Sequence, residues 1–152
     1  YRPLDELVAA SDIVSVHVPL TPATYHLIDR DLLRRFKRGS LLINTARGGL
    51  VDTRALLWAL EEGIVAGAGL DVLEGEQAMS EDRRRLLSSE DEASLRTWFS
   101  NHVLIEHENV VVTPHIAFDS AEAVERILEV TAENIAGFLS GRERNIVPAD
   151  RL

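Results

Sequence analysis

Residues 40–72 read SLLINTARGGLVDTRALLWALEEGIVAGAGLDV, and this stretch sets the architecture. SLLINTA (40–46) is almost wholly apolar, as expected of a strand buried on both faces of a parallel sheet. Asp52 is placed to cap a helix over TRALLWALEE (53–62), and Gly63 suits the left-handed stop just past its end. VAGAGLDV (65–72) is then a second strand, its small residues permitting close helix packing. Strand, helix and strand in this order form a β-α-β unit with parallel strands.

The same alternation continues on both sides. LDELVAAS (4–11) is a helix approach, and IVSVHV (13–18) is a β-branched strand that meets a loop at Pro19. Asp29 can cap a helix over DLLRRF (31–36), which Gly39 ends. ENVVVTPH (108–115) is a short strand. Ser120 opens a helix to about Leu139, with Val124, Ile127, Leu128, Ile135 and Phe138 as its apolar stripe. The tail, GRERNIVPADRL (141–152), is loop-like.

Residues 77–108 break this rhythm. SEDRRRLLSSEDEASLRTW (80–98) is densely charged and predicts a surface helix or two inside an insertion. The order β-α-β-α-β-(insertion)-β-α is about half of a doubly wound parallel sheet with flanking helices. The first β-α-β unit of such a sheet would carry a G-x-G-x-x-G turn for a dinucleotide. Gly48-Gly49 and Gly67-x-Gly69 are the glycine clusters here, and neither opens a strand-to-helix turn with that spacing. The sequence begins at Tyr1 within a helix approach, so a piece of a longer polypeptide is expected.

Composition narrows the function. The 152 residues are 45% hydrophobic and 27% charged, which fits one soluble globular domain. A net charge of −9 argues against a nucleic-acid surface, which needs clustered lysine and arginine. The absence of cysteine excludes disulfides, thiolate zinc sites and thiol nucleophiles, and it fits a reducing cytoplasm. No apolar run has the length of a membrane helix, and no signal peptide opens the sequence. His102 and His107 flank a glutamate (HVLIEH), but the spacing matches no helical zinc motif, so no metal is expected. His17, within a strand, reads as a packed core histidine.

Four runs carry a resemblance: HVPLTPAT (17–24), INTARGGLVDT (43–53), GLDVLEGE (69–76) and TPHIAF (113–118). Each falls at the carboxyl end of an expected strand. With these in this order, residues 1–147 resemble the D-isomer-specific 2-hydroxyacid dehydrogenases, most of all the D-lactate dehydrogenase branch. The resemblance implies the carboxyl-terminal portion of a Rossmann-like NAD-binding domain, with the glycine-rich unit and substrate domain lying upstream and 148–152 a tail. It implies catalytic roles for Arg47, Glu76 and His115. It also places Val18, Pro19 and Thr24 on the adenosine side of NAD, Thr45 and Ala46 at the nicotinamide ribose, and Asp71 at the nicotinamide end. Arg47 and His115 would themselves reach the cofactor. A small 2-hydroxy or 2-oxo acid is the expected substrate, and a homodimer the expected assembly of the longer protein. NADP in place of NAD stays open, since the discriminating residue would lie before Tyr1.

The residue chemistry is consistent with those roles. A planar guanidinium offers paired donors to a carboxylate and can polarise the adjoining carbonyl. Thr45 and Gly48-Gly49 around Arg47 favour that reading over a plain surface arginine, because glycine lets backbone approach a ligand closely. His115 can pass a proton to a carbonyl oxygen, and a neighbouring carboxylate favours its charged form. Within the acidic run EGE, Glu74 competes with Glu76 for that carboxylate role. Asp71 is either a ligand contact or the cap of the following turn. Two other readings remain: a cofactor-sensing protein of the same fold that controls transcription, and an inactive piece whose apolar edge strand IVSVHV self-associates.

Overall fold

The computed structural model describes residues 1–75, 92–142 and 144–146. The chain divides into two compact units, Tyr1–His115 and Ile116–Leu152. The first contains a four-stranded parallel sheet in the order β1-β2-β3-β4, with β1 at Ile13–Val16, β2 at Ser40–Asn44, β3 at Val65–Leu70 and β4 at Val110–Val112. Helices α1 (Leu4–Ala10), α2 (Arg30–Leu33), α3 (Thr53–Glu61) and α4 (Glu92–Glu106) precede or connect these strands.

The expected caps form. Asp29 accepts from the amide of Leu32, and Asp52 accepts from the amides of Arg54 and Ala55. Gly63 takes a φ of 63° beyond α3, a left-handed value that costs a residue without a side chain little. α2 ends sooner than its sequence predicts. The amides of Arg35 and Phe36 reach back three residues, to Leu32 and Leu33, so the segment tightens into turns after one helical turn.

Burial follows register. Val14, Leu42 and Ala68 are aligned across β1, β2 and β3, as are Val16, Asn44 and Leu70, and all six are buried. Val8 of α1, Leu33 of α2, Leu56 and Ala59 of α3, and Leu104 of α4 belong to the same core cluster. The opposite face of the sheet is more open, with Ile13, Leu41 and Val111 exposed. There, among the described residues, the nearest neighbours of the β3 glycines belong to the sheet and the turn before β4. A Cβ on Gly69 would lie 3.0 Å from Cδ1 of Ile43, and one on Gly67 would lie 2.8 Å from the carbonyl of Asn109 and 3.4 Å from Cδ2 of Leu41. The small residues of β3 therefore make room for its neighbours in and beside the sheet.

Between β3 and β4 the sequence predicts a charged insertion. Residues 76–91 lie outside the described residues, but from Glu92 the chain is a fifteen-residue helix, α4. Ser100, Asn101 and Leu104 on it are buried, so its second half is a packed crossover helix rather than surface decoration. His102 stands beside Glu106 at 3.4 Å and stacks on Trp98, while Nδ1 of His107 accepts from the amide of Asn109. His17 departs from its sequence reading: it is exposed, 2.7 Å from the Ser15 hydroxyl, because Ile13, Ser15 and His17 share the open face.

The second unit contains α5, Ala121–Leu139, opened by Ser120, whose hydroxyl accepts from the amide of Ala123. It has one apolar stripe, as its sequence predicts, and Ile127, Leu128, Ile135 and Phe138 on it are exposed. Among the described residues no helix is long and apolar enough to cross a membrane.

Candidate active site

The site residues sit where the strands of a parallel sheet stop. Val18 and Pro19 follow β1, Thr45 to Arg47 follow β2, Asp71 follows β3, and Thr113 to His115 follow β4. All these loops open from the carboxyl edge, where open α/β sheets bind their ligands.

The loop after β2 is built around Asn44, a fully buried amide at the end of the strand. Its Nδ2 donates to the carbonyl of Arg47 at 2.9 Å, and its Oδ1 accepts from the amide of Ala46 at 3.1 Å. One side chain thus closes the loop on itself and presents Arg47 at the start of a 3₁₀ turn, Gly48–Leu50. The Arg47 side chain is exposed, with Nη1 donating to the carbonyl of Ala46 at 2.7 Å.

Gly48 joins this loop to the one after β3. A Cβ there would fall 2.0 Å from the carbonyl oxygen of Leu73 and 2.5 Å from the amide nitrogen of Glu74. Backbone lies on backbone, and only glycine permits it. The segment after β1 is stitched to the same place. The amides of His26 and Ile28 donate to the carbonyls of Gly49 and Leu50, and the amide of Asp52 donates to the carbonyl of Ile28.

Glu74 occupies the centre of these segments. Its Oε1 accepts from Nε2 of His26 at 2.7 Å and from the hydroxyl of Tyr25 at 3.0 Å, and its Oε2 accepts from the amide of Thr53 at 3.3 Å. Its own carbonyl accepts from Nδ2 of buried Asn101 on α4 at 2.8 Å. Burial pushes the Glu74 carboxyl up, but hydrogen bonds from His26 and Thr53, with the charge of His26, outweigh that and hold it below the usual range. Burial, the bond to Glu74, and the negative charges of Glu74 and Asp52 push the Tyr25 phenol up. His26 stacks on Tyr25 at 3.9 Å between ring centres and has a φ of 52°.

At the end of β3, Asp71 is buried, and its amide donates to the carbonyl of Asn44. Its carboxylate accepts from the hydroxyl of Thr113 at 2.5 Å, so it ties β3 to β4 and is more than a local turn cap. Thr113 donates its amide to Leu70, and the amide of His115 reaches back across Pro114 to the carbonyl of Thr113. His115 is exposed, with a left-handed φ of 56°. Thr24 is half-buried, and its hydroxyl closes its own loop through the carbonyl of Pro19 and the amide of Thr21. Val18, Pro19 and Thr45 are exposed and Ala46 is half-buried. Glu76 lies outside the described residues.

Sequence reasoning found the loops and passed over what holds them. Asn44 carried a signal, since a polar residue inside LLIN must be satisfied if the strand is buried. Tyr25, His26, Thr53, Asn101 and Thr113 carried none, because their partners are distant in sequence.

A sequentially ordered parallel sheet with polar loops at its carboxyl edge is part of a Rossmann-like α/β domain, a class that binds its ligands at that edge. The chain belongs to the D-isomer specific 2-hydroxyacid dehydrogenases, matching the model of their NAD binding domain over residues 1–117. It is 45% identical over 141 residues to a glyoxylate reductase of Thermofilum pendens, covering 93% of this chain and 36% of that protein. Among solved structures it is similar to the D-lactate dehydrogenase of Aquifex aeolicus complexed with NAD and lactic acid, at 38% identity and a TM-score of 0.76, covering 93% and 41% of the two chains. A Lactobacillus delbrueckii enzyme of the family, in its NAD-complexed form, matches at 35% identity and a TM-score of 0.79, covering 97% and 43%. The chain thus spans about two fifths of the length of these relatives.

Proposed function

We propose that these residues are the catalytic part of an NAD-linked oxidoreductase that interconverts a small D-2-hydroxy acid and its 2-oxo acid, with pyruvate and lactate as the nearest substrate type. The observation that carries this reading is the seating of Gly48 on Leu73, which sets the Arg47 loop against the acidic loop after β3. The Asp71–Thr113 bond joins that loop in turn to the one bearing His115. Neighbouring strands lie about 4.8 Å apart, so loops on β2, β3 and β4 fall within about 10 Å, the reach of one substrate between long side chains.

The residues present suit a nicotinamide dinucleotide. Val18 and Pro19 expose apolar surface for a ring, Thr45 exposes a hydroxyl, and Asp71 places a carboxylate at the same edge. The bound nicotinamide supplies the hydride. Arg47 holds the substrate carboxylate through paired donors, and His115 gives its proton to the carbonyl oxygen as that carbon is reduced. Glu76 supports the imidazolium before the transfer.

Residues 1–147 would be the carboxyl-terminal portion of the cofactor domain, working with a glycine-rich unit and a substrate domain encoded outside this sequence. A soluble cytoplasmic homodimer is the assembly that fits. The test is turnover of the longer enzyme with NADH and pyruvate, glyoxylate or hydroxypyruvate. Arg47→Ala and His115→Asn are each expected to lower kcat/KM by about a hundredfold or more. A His115→Asn enzyme that keeps most of its turnover overturns the assignment.

A further inference from the structure

Glu74 is a mostly buried carboxylate, 12% exposed at its side chain, which the proposed chemistry does not use. Burying an ionised acid is costly unless donors surround it, and here three do. An ionised carboxylate only accepts, so Nε2 of His26 must carry the proton in their 2.7 Å bond. The three donors come from two elements, the connection after β1 and the first residue of α3. A third element, α4, grips the same residue by its carbonyl through Asn101. The amide nitrogen of Glu74 and the carbonyl of Leu73 form the surface on which Gly48 rests.

We infer that Glu74 is a positioning residue: held by His26, Tyr25 and the Thr53 amide, it fixes the loop after β3 against which Arg47 is aimed at the substrate carboxylate. The role rests on the proposed reaction. Both Glu74 oxygens already accept hydrogen bonds, and its imidazole partner is His26, which sets it apart from the carboxylate assigned to support His115. Any shift of residues 73–74 passes to Gly48 by direct backbone contact, with no flexible side chain between to absorb it.

Kinetics of the full-length enzyme test this, with amide hydrogen exchange as a readout independent of turnover. Glu74→Ala is expected to raise KM for the oxo acid and lower kcat, together costing about ten- to a hundredfold in kcat/KM, with the pH–rate profile unmoved. Glu74→Gln keeps one acceptor oxygen for His26 and Tyr25 but turns an NH2 toward the Thr53 amide, and should recover part of the loss. His26→Asn keeps a residue tolerant of the left-handed backbone but too short for the bond, and should reproduce the alanine effect. The amides of Leu50 and Val51, which close the 3₁₀ turn on Arg47 and Gly48, should exchange about tenfold faster in Glu74→Ala.

Three results overturn the role: Glu74→Gln moving the pH–rate profile, Glu74→Ala leaving KM and kcat within twofold, or exchange at Leu50 and Val51 staying unchanged. Arg47→Ala separates the two levels. If Arg47→Ala is crippled while Glu74→Ala is normal, this role fails alone. If Arg47→Ala keeps its KM, the reaction assignment fails and this role with it.

Discussion

The loops after β2 and β4 carry the two residues closest to the proposed chemistry, and they are held in different ways. The β2 loop is closed from within by a buried amide, Asn44, and pressed from outside by the backbone of Leu73 and Glu74. The β4 loop exposes Thr113, Pro114 and His115, and a side-chain bond from Thr113 to buried Asp71 ties it to the sheet. The contrast suits the tasks. An arginine that selects a carboxylate gains from a fixed frame, since misplacement by an ångström costs rate steeply. An acid/base that must give and regain a proton tolerates, and uses, access to solvent.

Breaking the tighter loop should have the largest effect. Gly48→Ala forces a methyl group to within 2.0 Å of the Leu73 carbonyl, where neither backbone can yield without moving a strand end. A loss of about 2–4 kcal/mol is expected from urea unfolding, as for severe overpacking. A loss below about 0.5 kcal/mol would show that the two loops part easily and that the contrast is false.

Asn44→Ala comes next. It removes two hydrogen bonds at a fully buried position and leaves the Arg47 carbonyl and Ala46 amide without that partner. About 2–3 kcal/mol should be lost, read by the same unfolding. Thr113→Val, the matching change in the β4 loop, deletes one bond at a position open to water. About 1 kcal/mol is expected, with kcat affected more than stability. Equal costs for the two variants would erase the distinction between a locked loop and a tethered one.

The same contrast explains what could be read from the sequence. Asp52, Gly63 and Ser120 announced α3 and α5 because caps act on the next few residues, and both helices start where those signals predict. The alternation of apolar strands with helices gave the parallel sheet and placed Arg47, Asp71 and His115 at its carboxyl edge. The bracing escaped because it is long-range. Glu74 meets His26 across 48 residues, and Asp71 meets Thr113 across 42, with no local pattern to mark either pair. A helix was expected here, but the packing of α4 was hidden for a different reason. Its exposed charges, Glu92, Arg96 and Glu106, dominate the composition, while burial rests on a few positions such as Asn101 and Leu104.

The smallest expected effect is one of pH, and it reports on the brace beneath the tighter loop. Glu74 holds its proton less readily folded than unfolded, because His26 and Thr53 bond its charged form. A carboxyl lowered on folding stabilises the protein above its unfolded pKa, about 4.3, and that contribution fades as pH falls through the folded value. Glu74→Gln lacks the charge at every pH. The stability gap between wild type and Glu74→Gln should therefore be widest near neutrality and close as unfolding is measured toward pH 3. A gap that widened on acidification would mean that the carboxylate is strained rather than supported there, and the loop after β3 would need another anchor to keep Arg47 in place.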